Sequence, residues 1–170
     1  MASVPRPAPP ARFDSRAFRQ IMGRFPTGVT IIATRDAQGA PVGVTVNSFT
    51  SVSLDPPLVL FCLARHARCY PAFEASSRFA VNMLGGKQRD FSDRFAASPF
   101  DWTDIRTEVW ETGAPIVSDA AAALDCRVAA RYQGGDHEII VGEVVALGSL
   151  KPGKPLVYYR GTFVDLPDLD

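Results

Sequence analysis

Between residues 47 and 53 the chain sets Asn47, Ser48, Thr50, Ser51 and Ser53 inside a region that is otherwise apolar. An amide and four hydroxyls crowded together, with their backbone N–H groups, can meet the rim of a polar, planar ligand. His137, one of only two histidines, follows Gly134-Gly135-Asp136, a tight-turn sequence that brings a side chain to a cleft rather than into a core. Arg65 and Arg68 come directly after the apolar run 58–63, and two guanidinium groups at a strand end can clamp a phosphate bidentately. On residue types alone each feature also fits a plainer role: a polar turn, a water-exposed histidine, or solvated loop charges.

Other chemistries find less support. Cys62, His66 and Cys69 have a C-x3-H-x2-C spacing that suits a soft metal, but Cys62 lies in an apolar strand and no fourth ligand is near, so no metal is expected. Gly85-Gly86-Lys87 resembles the end of a phosphate loop, yet Gln88 replaces the Ser/Thr and Val81 stands where the first glycine belongs. No glycine-flanked nucleophilic serine and no three-glycine dinucleotide fingerprint occurs.

The 170 residues fit one domain with a real core. Eighteen basic side chains balance eighteen acidic ones, so no basic field points to nucleic acid. No apolar run approaches the roughly 18 residues of a membrane span. Residues 1–13, rich in proline and alanine without an apolar segment, read as a disordered leader, with one domain over 14–165 and an acidic tail over 166–170. Three cysteines, an odd number, favour a reducing cytoplasm over a disulfide framework.

The elements that must position the candidates follow from periodicity. A helix over 15–25 places Phe18, Ile21, Met22 and Phe25 on one face, with Asp14 or Ser15 as its cap. Strands 29–34 and 41–47 form a hairpin about the Asp36-Ala37-Gln38-Gly39 turn. Asp55-Pro56-Pro57 interrupts any ladder, and the continuous apolar run 58–63 predicts a strand buried on both faces. A short helix beginning near Pro71, a strand over 79–84 and a helix over 87–96 come next. Residues 98–115 read as a long, partly ordered loop of the lid or partner-contacting kind. Two long strands flank the Gly134-Gly135-Asp136 turn, and a last strand spans 156–163. The lack of regular strand–helix alternation disfavours a doubly wound sheet and predicts a mainly β fold, an antiparallel barrel or sandwich with flanking helices.

The segments FRQIMGRFPTGVTIIAT, GVTVNSFTSVSLDPPLVLFCL, RFAVNMLGGKQRDFSDRFA, ALDCRV, GGDHEIIVGEV and PLVYYRGTF, in that order, resemble the flavin reductase family, the short NAD(P)H:flavin oxidoreductases of two-component monooxygenases. The resemblance runs from about Phe18 to Phe163. It implies a split antiparallel β-barrel, a homodimer, and FMN or FAD bound near the subunit interface. It carries flavin contacts onto Asn47, Ser48, Ser51, Val52 and Ser53, with Thr27 and Asn82 lining the same site. Where the family has Ser or Lys followed by Thr against the phosphate, this chain has His66-Ala67-Arg68-Cys69, and Arg65 and Arg68 are the expected substitutes. The histidine of the Gly-Asp-His turn, His137, becomes the residue on the nicotinamide side.

The implied reaction is hydride transfer from NADH or NADPH to flavin N5 across about 3–3.5 Å. Reduced flavin then diffuses to a partner oxygenase, the cofactor carrying the chemistry and the protein the orientation. Two other uses of the same barrel stand beside this reading: a flavin- or haem-binding protein that senses or stores, and an oxidase like those acting on pyridoxamine phosphate.

Overall fold

The structure, a computed structural model, describes residues 14–167. The expected leader, and residues 168–170 of the expected tail, lie outside that range. Helix α1 (Ser15–Met22) leads into β1 (Thr27–Gly28), β2 (Thr30–Arg35) and β3 (Pro41–Val46). Then come β4 (Thr50–Leu54), β5 (Pro57–Ala64), α2 (Tyr70–Ala75), β6 (Arg78–Met83) and α3 (Arg89–Ala97). The chain ends with β7 (Thr107–Val109), β8 (Pro115–Val117), β9 (Ala122–Gly134), β10 (His137–Ser149), β11 (Val157–Tyr159) and β12 (Thr162–Val164).

Seven strands form one antiparallel sheet in the order β3-β2-β6-β9-β10-β5-β4. Its edges, β3 and β4, are consecutive in the chain and joined only by residues 47–49. Four Cα steps of 3.8 Å reach about 15 Å at most, whereas seven flat strands at 4.8 Å spacing would separate the edges by about 29 Å. The sheet therefore has to curl until its edges meet, which makes it the split barrel that the resemblance implies. The long β9–β10 hairpin supplies the curvature through register shifts at Val141/Gly142 and Val144/Ala146.

The barrel interior takes side chains from six of the seven strands: Ile32, Val42, Phe61, Leu63, Phe79, Val81, Cys126 and Ile140 are fully or almost fully buried. Phe61 meets Phe79 edge-on at 5.0 Å and Phe73 of α2 at 6.0 Å. On β5 the burial alternates: Val59, Phe61 and Leu63 point inward, while Leu58, Leu60 and Cys62 are half-buried on the other face. The expectation of a strand buried on both faces is thus corrected, because only one face of the curled sheet meets this core.

Three further differences have physical causes. Asp14 caps α1 through its carboxylate, which accepts from the Ala17 N–H at 2.6 Å. No residue of that helix is buried; Phe18, Ile21, Met22 and the following Phe25 are all at least half exposed, Phe25 by 70%. Residues 98–115 are strapped down rather than loose: β7 pairs with β8, Trp102 lies 4.6 Å from the Phe95 ring, and the buried Asp125 carboxylate accepts from the Thr112 N–H at 2.7 Å and from its hydroxyl. The expected last strand is a hairpin, β11–β12, turning at Arg160-Gly161, where both residues have positive φ. This hairpin joins β1 in a separate three-stranded sheet.

Gly142 on β10 is where the curl is tightest, since a Cβ there would sit 2.3 Å from the Phe79 ring. Gly142→Ala is expected to lower stability by about 1–3 kcal/mol through overpacking, read as a fall in the urea midpoint. An unchanged midpoint would show that the Phe79 ring can give way.

Candidate functional site

Where the two sheet edges meet, the Ser48 hydroxyl accepts from the Cys62 N–H at 3.0 Å and donates to the Cys62 carbonyl at 3.2 Å. This ties the β3–β4 link to β5 and forms one wall of a cleft of about 250 Å³. Asn47 stands at its rim, exposed, with no side-chain hydrogen bond among the described residues. Val44, Val46, Leu63 and Ala67 give the cleft an apolar lining.

His137 reaches the same cleft from the β9–β10 turn. Gly135 supplies the positive φ that this turn requires, and the Arg65 N–H holds the turn by donating to the Asp136 carbonyl at 3.1 Å. The side chain of His137 is 42% exposed, with Nδ1 2.7 Å from the Asp136 carboxylate. Hydrogen bonding to His137, reinforced by its charge and more weakly by that of His66, holds the Asp136 carboxyl below the usual carboxylate range. An ionised carboxylate only accepts, so Nδ1 carries a proton and Nε2 is the nitrogen left for a ligand.

A second cleft, of about 380 Å³, adjoins the first along Thr45, Val46 and Asn47. Its far walls are α3 and the β11–β12 hairpin, with Arg89, Ser92, Asp93, Tyr158 and Phe163 among its lining. The Thr45 hydroxyl fixes α3 by donating to the Ser92 carbonyl at 2.7 Å.

The structure thus brings Asn47, Ser48 and His137 together and sets the other expected residues elsewhere. Ser51 and Val52 are exposed and Ser53 half-buried on the edge strand β4, outside both clefts. Arg65 and Arg68 are exposed, and the Arg68 guanidinium lies 3.4 Å from the Ala97 carbonyl. Between them only Ala67 lines the first cleft. Thr27 pairs with Tyr158 in the small sheet, its hydroxyl buried with no partner among the described residues. Asn82 is 0% exposed; its amide donates to the Ile31 and Pro115 carbonyls and accepts from the Val117 N–H at 2.7 Å. Its amide is therefore engaged on both sides, with β2 and with β8. No group of three His, Cys, Asp or Glu side chains close enough to hold a metal occurs among the described residues.

The residue types missed at the sequence level are those of the second cleft and Asp136. Asp136 was legible as the neighbour of His137. Arg89 and Phe163 are 74 positions apart, and only the packing of the hairpin against α3 unites them.

The described chain has no helix long and apolar enough to cross a membrane. A family model described as flavin reductase like domain matches residues 22–167. The flavin-dependent monooxygenase reductase subunit HsaB of Mycobacterium tuberculosis is 42% identical over 160 residues, covering 92% of this chain and 84% of that protein. The FMN reductase (NADH) SmoA of Agrobacterium fabrum is 41% identical over 154 residues, covering 91% and 87%. Among solved structures, the NADH:FAD oxidoreductase SgcE6 of Streptomyces globisporus superposes with a TM-score of 0.85 at 35% identity, covering 96% of this chain and all of that one.

The three cysteines form no disulfide and differ sharply in setting. Burial pushes the Cys69 thiol up, and pushes that of Cys126 up to about 12, whereas Cys62 lines the first cleft. Iodoacetamide at mildly alkaline pH is expected to alkylate Cys62 in the native protein and the other two only after unfolding. Equal labelling of all three, read by peptide mass spectrometry, would contradict this cleft geometry.

Proposed function

The chain belongs to the flavin reductase like domain family, and from that premise we propose that it is an NADH-dependent flavin reductase supplying reduced FMN or FAD to a partner monooxygenase. The observation that carries the reading is the convergence of Asn47 and Ser48, from the β3–β4 link, and His137, from the β9–β10 turn, on one cleft. Its apolar lining and polar rim match the donor and acceptor pattern of an isoalloxazine ring. The relatives described above are named as reductases of FMN or FAD that use NADH, or as the reductase subunit of a monooxygenase. This favours turnover over storage, sensing or an oxidase reaction.

Bound flavin would supply the hydride acceptor; the chain supplies position. The Asn47 amide offers a donor and an acceptor to the ring's rim. Ser48, with its hydroxyl engaged at Cys62, holds the wall in place rather than contributing a contact of its own. With a nicotinamide bound, His137 would offer Nε2 to its carboxamide, while Asp136 fixes the proton on Nδ1. Hydride moves with its own electron pair, so no side chain has to act as general acid or base in that step.

Reduced flavin passes to the oxygenase by diffusion, and three unpaired thiols suit the reducing cytoplasm. The working form is a homodimer. The exposed apolar stripe of α1, and Val52 and Leu54 on the edge strand β4, Leu54 being 94% exposed, form the kind of surface that a second copy covers. A second copy seated on β4 would bring Ser51 and Ser53 into an enclosed setting that one chain does not provide.

NADH oxidation with no flavin, with FMN and with FAD tests the reading directly. Oxidation dependent on added flavin is expected; a protein that binds flavin but does not turn over would overturn it. His137→Ala should lower kcat/KM for NADH roughly tenfold, the scale of one lost hydrogen bond, with flavin affinity little changed. Weakened flavin binding at normal kcat would instead place His137 on the flavin. For the dimer, Ile21→Glu combined with Phe25→Glu should halve the mass measured by light scattering, and an unchanged mass would free α1 of that role.

A further inference from the structure

A groove of about 630 Å³ runs between α1 and the Arg160-Gly161 turn of the β11–β12 hairpin. Arg16, Arg19 and Arg24 line it from the helix side and Arg160 from the turn, and no acidic side chain is among its lining. All four arginines are exposed, and none of their guanidinium groups has a hydrogen-bond or ion-pair acceptor among the described residues. Two contacts hold the groove in shape. The Arg160 N–H donates to the Gly23 carbonyl at 2.9 Å, tying the end of α1 to the turn. The Arg160 guanidinium lies over the Tyr159 ring, 5.4 Å from its centroid. The charge is local to this part of the chain. Overall, 18 basic residues balance 18 acidic ones, yet residues 1–24 carry Arg6, Arg12, Arg16, Arg19 and Arg24 against Asp14 alone, and the Asp14 carboxylate accepts from the Ala17 N–H.

Like charges gathered in one groove repel, so an anionic occupant is favoured both by attraction and by relief of that repulsion. Exposure and shape decide which anion. A small-molecule site encloses most of its ligand among fixed polar groups, whereas here four long side chains stand in water around an open surface. A bilayer is flat where this surface is concave. An acidic stretch of polypeptide fits both features: it can follow a groove, and each carboxylate meets a guanidinium fork through two N–H groups at once. Arg16, Gln20 and the capping Gly23, spaced i, i+4 and i+7, put the groove on the side of α1 turned away from Phe18, Met22 and Phe25. A second copy on that apolar stripe and a partner in the groove therefore use different sides of the helix. Gly161 lines this groove and the second cleft alike, so a protein held by the arginines stands beside the clefts.

We propose that the groove between α1 and the Arg160-Gly161 turn is a docking surface for an acidic segment of another protein. Arg16, Arg19, Arg24 and Arg160 bind its carboxylates and speed its approach, as complementary charge does at an interface. The identity of that protein as the flavin acceptor rests on the flavin reductase reading; the groove and its acidic occupant do not. Docking there would shorten the path over which reduced flavin diffuses.

The test is the fluorescence anisotropy of a labelled oligoglutamate peptide titrated with the full chain. Binding is expected at low salt, weakening at least tenfold between about 0.05 M and about 0.5 M NaCl as screening sets in. Arg16→Gln combined with Arg19→Gln should weaken it tenfold or more, and Arg160→Gln, from the opposite wall, should weaken it by itself. Lys87→Gln combined with Arg127→Gln removes the same charge at exposed positions outside the groove and should leave the affinity unchanged. No binding, binding that survives the groove substitutions, or equal weakening by the control pair would overturn the docking surface. So would groove-dependent binding of inorganic pyrophosphate or of phosphatidylserine vesicles tighter than that of the peptide, which would assign the arginines to phosphate. Flavin-dependent NADH oxidation by Arg16→Gln with Arg19→Gln should match the wild type, and its loss would place the arginines in the reductase site instead. Peptide binding by a protein without reductase turnover would sink the flavin reductase reading while leaving the acidic docking surface standing.

Discussion

Three residues, 47–49, join the two edges of a seven-stranded sheet, and that short link is the constraint from which the site follows. It is too short to cross an open sheet, so the strands curl, and the curl brings β3 against β5. Ser48 completes the closure at the Cys62 backbone. The hydroxyl replaces ladder hydrogen bonds that two edges meeting at an angle cannot make, and it does so without filling the space beside it. The unfilled space is the first cleft. A residue with no polar side chain at position 48 would leave the Cys62 N–H unpaired at the barrel seam, a loss of about 1–3 kcal/mol.

The rest of the molecule serves to keep that seam in register. A Cβ at Gly142 on β10 would press on the Phe79 ring, and the bulge beside it bends the long hairpin around the core. Gly43 plays a similar part on β3, where a Cβ would lie 2.9 Å from both Phe95 and Trp102. That close approach seats α3 on the barrel and so sets the wall of the second cleft. Arg131 pairs with Glu138 at 2.8 Å and donates to the Phe73 and Ser76 carbonyls. It thereby fastens the end of α2 to the strands that carry His137. Being half-buried, this network costs more to break than an exposed pair.

Much of this was legible in the sequence, and the exceptions are instructive. The hairpin of β2 and β3, the long β9–β10 pair and helix α3 follow from periodicity and turn residues, because these signals are local. The strand 58–63 alternates in burial although its sequence is apolar throughout, since an unbroken apolar run does not say whether its second face meets this core or another surface. Residues 98–115 carried no clear period, yet Trp102, Thr112 and Asp125 hold them down through contacts distant in sequence. The resemblance implies a place at the flavin for Asn82, but its amide is fully engaged between β2 and β8.

The sequence by itself determined the family, the mainly β architecture, and the identities of Asn47, Ser48 and His137 as the polar groups of interest, because residue type and turn chemistry are properties of short segments. Only the tertiary structure decided which of the expected residues share a cleft. Asn47 and His137 meet because the sheet closes, whereas Arg65, Arg68 and Asn82 face other partners. The second cleft was invisible beforehand for the same reason. Arg89 belongs to a helix and Phe163 to the last hairpin, and their contact exists only once the curled barrel has brought both onto one side of β3.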